Sequence, residues 1–142
     1  MSMPRHCFTY GSLMCEDIMR AVSGHAAVHE AAELAGYSRH PVTGEHYPGI
    51  RPQAAGRVVG VLYRALPAAA FDRLDAFEGT QYQRRTACVA LRDGTEIAAE
   101  TYVFRPEFAR LLGAGDWDFE AFLRTGKGRF EAQYLGYARI TR

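Results

Sequence analysis

A chain of 142 residues with 17 lysines and arginines against 16 acidic residues carries a net charge of +1, which removes any electrostatic reason to expect nucleic acid or an anionic membrane as partner. Its 48% hydrophobic content, with 8 Phe and 8 Tyr, excludes a disordered chain, and its length suits a single domain over residues 1–142 with one site. The 3 cysteines, Cys7, Cys15 and Cys88, are odd in number and lack Cys-x-x-Cys spacing, which speaks against a disulfide scaffold or structural zinc and for a reducing compartment.

The chain opens on Met1-Ser2-Met3-Pro4-Arg5 rather than on the apolar run of a signal peptide, and no later stretch has membrane length, so the expected location is the cytoplasm. His6-Cys7-Phe8-Thr9-Tyr10 reads as a strand that turns through Gly11-Ser12-Leu13 into a helix beginning at Met14. A sharp strand-to-helix turn leaves backbone N–H groups aimed at one spot, where an anion or oxyanion can sit. Gly11 permits close backbone approach, and Ser12 can cap the helix or offer its hydroxyl to a ligand. The same turn also occurs in α/β proteins where it binds nothing.

Ala31 to Tyr37 is expected as a strand and Thr43 to Gly49 as a loop. Arg57 to Arg64 is β-branched and apolar, a buried strand in which Gly60 marks a bulge or the close approach of another backbone. Leu66 to Gly79 has proline near its start and glycine past its end, the polarity of a helix, with Ala70, Phe71, Leu74 and Phe77 as the apolar stripe. Thr86–Leu91 and Ile97–Phe104 flank Arg92-Asp93-Gly94-Thr95, a strong hairpin signal. Asp116 to Arg124 is acidic early and basic late, as suits a helix dipole, and Phe130, Tyr134 and Tyr137 follow at helical spacing. Both stretches are expected to cover the sheet. The order of elements predicts an α+β domain with a mixed, largely antiparallel sheet.

Glu78 stands out within this pattern. It occupies the last turn of its helix, where the macrodipole disfavours negative charge, and with Phe71 and Leu74 at i, i+3 and i+7 it continues a stripe that faces the core. An inward carboxylate is desolvated, which raises its pKa toward the range of a general base. Spacing alone supports equally a surface glutamate paired with Arg84 or Arg85.

Other chemistries are weaker. His25 and His29 are four apart, as on one helix face, but no third metal ligand follows. His40 and His46 bracket a loop and read as exposed or loop-bonding residues. Tyr10 occupies the first glycine position of a Gly-x-Ser-x-Gly elbow, which argues against a serine hydrolase built on Ser12. Cys7 and Cys15 lie near the turn and read as small buried thiols.

Phe8-Thr9-Tyr10-Gly11-Ser12-Leu13, Tyr47-Pro48-Gly49-Ile50, and Leu74-Asp75-Ala76-Phe77-Glu78-Gly79 followed by Tyr82-x-Arg84, in this order and separation, resemble the γ-glutamylcyclotransferase-like (AIG2-like) family. Trp117-Asp118-Phe119-Glu120 with Phe130 and Tyr134 resembles its bacterial and plant branch. The resemblance implies a small mixed β-barrel or sheet with flanking helices, in which the turn Tyr10 to Leu13 faces Glu78 across a pocket. It implies cleavage of a γ-glutamyl amide by the substrate's own α-amino group, releasing 5-oxoproline and a free amine or amino acid, with neither metal nor organic cofactor. Glu78 would take a proton from the α-ammonium and return it to the leaving amine. The N–H groups of the turn would hold the substrate carboxylate or the tetrahedral oxyanion, an alternative the sequence leaves open. Tyr82 and Tyr102 either line this pocket with hydroxyls or serve as strand packing. A pocket that binds a small molecule without turnover, or a protein-interaction module with a vestigial pocket, are the competing readings.

Overall fold

The computed structural model describes residues 4–132. Five strands, β1 (Arg5–Thr9), β2 (His29–Pro41), β3 (Pro48–Leu66), β4 (Tyr82–Leu91) and β5 (Glu96–Phe104), close into a barrel in the order β1-β3-β2-β4-β5. Neighbours pair antiparallel except β1 and β5, which meet in parallel at Cys7 and Glu100. The first strand therefore sits between β3 and β5, and closing the barrel requires it.

Alternation along the strands sorts the core into two layers. Phe8, Leu34, Val58, Leu62, Val89 and Val103 fill the barrel interior. Cys7, Tyr63, Leu66 and Phe104 point outward and pack against the helices α1 (Glu16–Ser23) and α2 (Ala68–Glu78) through Ile18, Met19, Phe71 and Leu74. Gly60 is where the interior is tightest. A Cβ placed there would stand 2.1 Å from the Thr9 carbonyl oxygen and 2.7 Å from Phe8 Cζ, so the close backbone approach expected of this glycine is that of β1 itself.

Several elements differ in extent from expectation. The turn after β1 does not pass directly into α1: a single 3₁₀ turn, Ser12–Met14, intervenes, closed by Met14 N–H to Gly11 C=O at 2.9 Å and Cys15 N–H to Ser12 C=O at 3.1 Å. The helix then starts at Glu16, with two acidic residues in its first turn and Gly24 at φ 79° behind it. β3 begins at Pro48, so Pro48 and Gly49 are strand residues paired with Pro41 and His40 and not loop. Proline is compatible with a strand's first position, where its missing N–H interrupts least. The hairpin of β4 and β5 is as expected, with Leu91 N–H to Thr95 C=O at 2.8 Å and Gly94 at φ 87°. α2 carries Pro67 at its N-cap and Gly79 after its last residue, with Ala70, Phe71 and Leu74 buried.

The acidic tail segment starts its helix later than expected. Asp118 caps α3 (Phe119–Ala121) by accepting from Ala121 N–H at 3.1 Å, and the helical path continues through a π-helical stretch, Phe122–Gly126, into α4 (Lys127–Phe130). Trp117, Phe122 and Phe130 join the outer core, so this segment does cover the sheet. The expected positions of Tyr134 and Tyr137 lie outside the described residues.

The tightness at Gly60 is testable. Gly60→Ala is expected to lower unfolding free energy by about 1–3 kcal/mol, the usual penalty for overpacking. Val59→Ala, at a position 60% exposed, is expected to change it by less than about 0.5 kcal/mol. Chemical denaturation of the two variants against the parent protein measures both.

Candidate active site

Where β1 ends, its main chain leaves the barrel and turns past the C-terminus of α2. The cleft between them is lined by Tyr10, Gly11, Ser12 and Leu13 from the turn, Tyr47 just before β3 and Pro48 at its start, Glu78 from α2, and Tyr82 and Tyr102 from β4 and β5. Every residue singled out from the sequence for this site thus converges on one cavity. Tyr47 and Pro48 received no site role from the sequence. Both sit within a quoted motif, and that was the signal available for them.

The turn is held from both ends. Arg39, on β2, donates from Nη1 to the Tyr10 carbonyl at 2.8 Å while its Nε and Nη2 grip Asp116 at 2.8 and 3.1 Å, and its guanidinium lies 5.6 Å from the centre of the Trp117 ring. Such a bidentate, stacked arginine positions more rigidly than a lysine can. Tyr63 donates its hydroxyl proton to the Leu13 carbonyl at 2.8 Å. Gly11 is required by space, because a Cβ there would lie 2.8 Å from Pro48 Cδ. Ser12 does not cap a helix; the 3₁₀ turn it opens and the following α1 both lack a side-chain cap. The N–H groups of Ser12 and Leu13, at the open end of that turn, have no acceptor within it.

Glu78 is the last residue of α2 and is half-buried. It keeps some contact with solvent at the cleft mouth, but protein surrounds its carboxyl closely enough that loss of hydration raises the pKa from 4.5 to about 8. Among the described residues no cation or hydrogen-bond donor offsets this. Of the two partners considered from sequence, Arg84 is engaged elsewhere, with its Nε 3.3 Å from Asp75, its Nη1 3.7 Å from Glu100 and its guanidinium 4.9 Å from the Phe71 ring centre, and Arg85 is exposed on β4 and forms no ion pair with Glu78. The core-facing stripe, and not a surface ion pair, governs Glu78.

The tyrosines bring oxygen atoms whose protons are already committed. Tyr82 donates to the Pro48 carbonyl at 2.7 Å, and Tyr102 to Asp75 Oδ1 at 2.6 Å. Tyr10 packs with the residues of the barrel interior and donates to the Tyr102 carbonyl at 2.6 Å. Burial first, and then the neighbouring carboxylates, push the hydroxyl pKa values of Tyr10 and Tyr102 far up, with the Glu78 charge among the causes for both. Burial likewise pushes the Cys7 thiol far up, with Glu78 the next cause. This thiol is inert as a nucleophile at neutral pH.

Beside the inner cleft, of about 30 Å³, lies an outer basin of about 140 Å³ lined by Ser12, Tyr47, Phe77, Glu78, Tyr82 and Phe130. Glu78 borders both. The histidines take no part in this lining. His25 lies between α1 and β2, and His29 opens β2 with Nδ1 3.9 Å from Glu16, so the helix face considered for the pair does not form. Among the described residues no cluster of three or more His, Cys, Asp or Glu is arranged to hold a metal ion. His40 bonds Ser38 Oγ through Nε2 at 2.7 Å, and the His46 carbonyl accepts from Trp117 Nε1 at 3.2 Å. No helix among the described residues is long and apolar enough to cross a membrane.

Residues 7–119 match the family described as gamma-glutamyl cyclotransferase, AIG2-like. AIG2-like protein C of Arabidopsis thaliana is 33% identical over 124 residues, covering 87% of this chain and 72% of that protein. A solution structure of an Arabidopsis thaliana protein superposes with a TM-score of 0.70 at 25% identity, over 99% of this chain and 86% of that one. A structure described as gamma-glutamyl cyclotransferase shares the fold with a TM-score of 0.64 at 19% identity, over 75% of each chain.

The raised pKa of Glu78 has a thermodynamic signature. Between pH 4.5 and 8 the unfolded chain releases the Glu78 proton while the folded chain retains it, so this group lowers stability progressively as pH rises through that window. Glu78→Gln is therefore expected to raise Tm relative to the parent at pH 8–9 and to leave it unchanged near pH 4. Scanning calorimetry of both proteins across that range measures the difference.

Proposed function

The chain belongs to the gamma-glutamyl cyclotransferase, AIG2-like family, and from that premise we propose that it cleaves γ-glutamyl amides by intramolecular attack, releasing 5-oxoproline and the amine. The observation that carries this reading is the desolvated Glu78, which meets no cation or hydrogen-bond donor among the described residues, in one cleft with the turn Tyr10 to Leu13.

The reaction needs a proton moved twice. The α-ammonium of the substrate cannot attack until it loses a proton, and beside a free α-carboxylate it holds that proton above neutrality. A carboxyl raised to about 8 matches it far more closely than a solvated carboxylate does, which narrows the free-energy gap of the transfer. The freed nitrogen attacks the γ-carbonyl carbon and closes a five-membered lactam. The bond from that carbon to the leaving nitrogen breaks as the proton held on Glu78 passes to that nitrogen, and the second proton that the ring nitrogen must shed follows through the same carboxyl, so the products are a neutral lactam and an ammonium. No water is consumed, and the carboxyl ends as it began.

The turn complements this step. N–H groups of Ser12 and Leu13 suit the tetrahedral oxyanion or the α-carboxylate, and the clamp of Arg39 and Tyr63 holds the main chain on either side of them. The oxygens of Tyr82 and Tyr102, with their protons directed at Pro48 and Asp75, present lone pairs that suit a substrate ammonium. Holding the γ-glutamyl chain folded supplies the remaining acceleration, because nucleophile and electrophile already share one molecule.

Purified protein is expected to release 5-oxoproline from at least one member of a panel of γ-glutamyl amino acids, γ-glutamyl amines and glutathione. Glu78→Gln is expected to lose about 10²-fold or more of kcat with unchanged circular dichroism. Silence of the parent protein across the panel, or full activity of the variant, would instead assign the cleft to binding without turnover.

A further inference from the structure

The outer basin gives the site a second compartment. Of its lining residues Tyr47, Phe77, Tyr82 and Phe130 are aromatic, and only Ser12 and Glu78 add polar groups without a ring. The rings pack in fixed relations: Phe77 and Phe130 meet edge to face at 5.9 Å and 71°, and Tyr47 and Tyr82 lie 6.4 Å apart at 55°. Phe130 is further braced by Phe122 at 5.7 Å and Tyr82 by Phe104 at 5.2 Å. Walls tied into the core in this way are preformed and do not collapse on an undersized guest.

Volume narrows the occupant. The basin measures about 140 Å³, close to the roughly 150 Å³ in which one benzene ring is held, and its lining is mixed, with aromatic rings beside Ser12 and Glu78. Its position fixes which part of a substrate enters. Ser12, Tyr47, Glu78 and Tyr82 line both compartments, so the basin begins where Glu78 would deliver its proton to the departing nitrogen. We propose that the outer basin is the leaving-group subsite, and that the preferred substrate is a γ-glutamyl amide whose amine component carries a ring-sized apolar group. This rests on the cyclotransferase reading above and specifies its substrate. Phe77 is the specificity-determining residue, since it lines the basin but not the inner cleft, and the buried Phe130 backs it.

The test compares kcat/KM for γ-glutamylphenylalanine and γ-glutamylbenzylamide with γ-glutamylalanine, γ-glutamylglutamate and glutathione. Burial of an aromatic ring predicts a preference of about 10- to 100-fold for the first two. Phe77→Ala, at a half-buried position, is expected to shrink the phenylalanine-to-alanine ratio at least severalfold, a ratio that a general loss of folded protein leaves unmoved. Equal turnover of phenylalanine and alanine derivatives, or a preference for the charged ones, overturns the proposal while leaving the cyclotransferase reading in place. If no substrate turns over, titration calorimetry of γ-glutamylphenylalanine against γ-glutamylalanine still reads the basin: tighter binding of the ring supports the subsite, and equal binding overturns it.

Discussion

The position of the first strand is the constraint on which the rest of this molecule depends. β1 is short, five residues, yet it supplies the parallel contact to β5 and the antiparallel contact to β3 that close the barrel. It can lie there only because β3 offers Gly60 opposite the Thr9 carbonyl, where any Cβ would collide. Closure fixes where β1 ends, and the end of β1 fixes the turn. Phe8 faces the interior and Cys7 the helices, so the strand is anchored on both faces before the chain turns at Gly11. Function in this fold begins at the point where a strand whose last three residues are buried is forced to leave the barrel.

Against that fixed turn, α2 sets an electrostatic opposition. Its last residue is an acid where the helix dipole would favour a base, and the stripe that includes Phe71 and Leu74 draws it inward. Nearby arginines neutralise other acids: Arg84 serves Asp75 and Glu100, and Arg39 serves Asp116. The cationic charge around the cleft is thus distributed so that Glu78 is left with desolvation as its governing influence. A carboxyl in that condition is costly to ionise, which is a liability for stability and an asset for shuttling a proton to and from an amine. The cleft supplies the polar contacts elsewhere, in backbone N–H groups and tyrosine oxygens.

Legibility from sequence followed the range of the forces involved. The Asp-Gly hairpin was readable because turn chemistry is local, and α2 because its cap residues and apolar period lie within one helix. The helical period marks Glu78 as one candidate for an inward carboxylate but supports equally a surface ion pair, and the packing of α2 decides between them. The freedom of Glu78 from Arg84 was not readable, since that depends on Asp75 and Glu100 meeting the arginine across strands. The length of β3, 19 residues, was missed because residues 51–57 are largely exposed; this stretch is tied to β2 through Arg51, Pro52 and Arg57 on either side of an irregularity in the register, which no local pattern announces. The outer basin was equally invisible. Phe77 and Phe130 lie 53 positions apart, and both read as core until the end of α2 and the C-terminal helical segment are brought together.

The central claim is that Glu78 holds its proton near neutrality because its surroundings withhold water and, among the described residues, supply no cation. A carbon-detected NMR titration of the side-chain carboxyls, with Glu78 assigned by comparison with the Glu78→Gln protein, measures this directly. The account predicts a Glu78 midpoint near 8, set apart from the other glutamates. A midpoint near 4.5, within the range of ordinary surface glutamates, would contradict it.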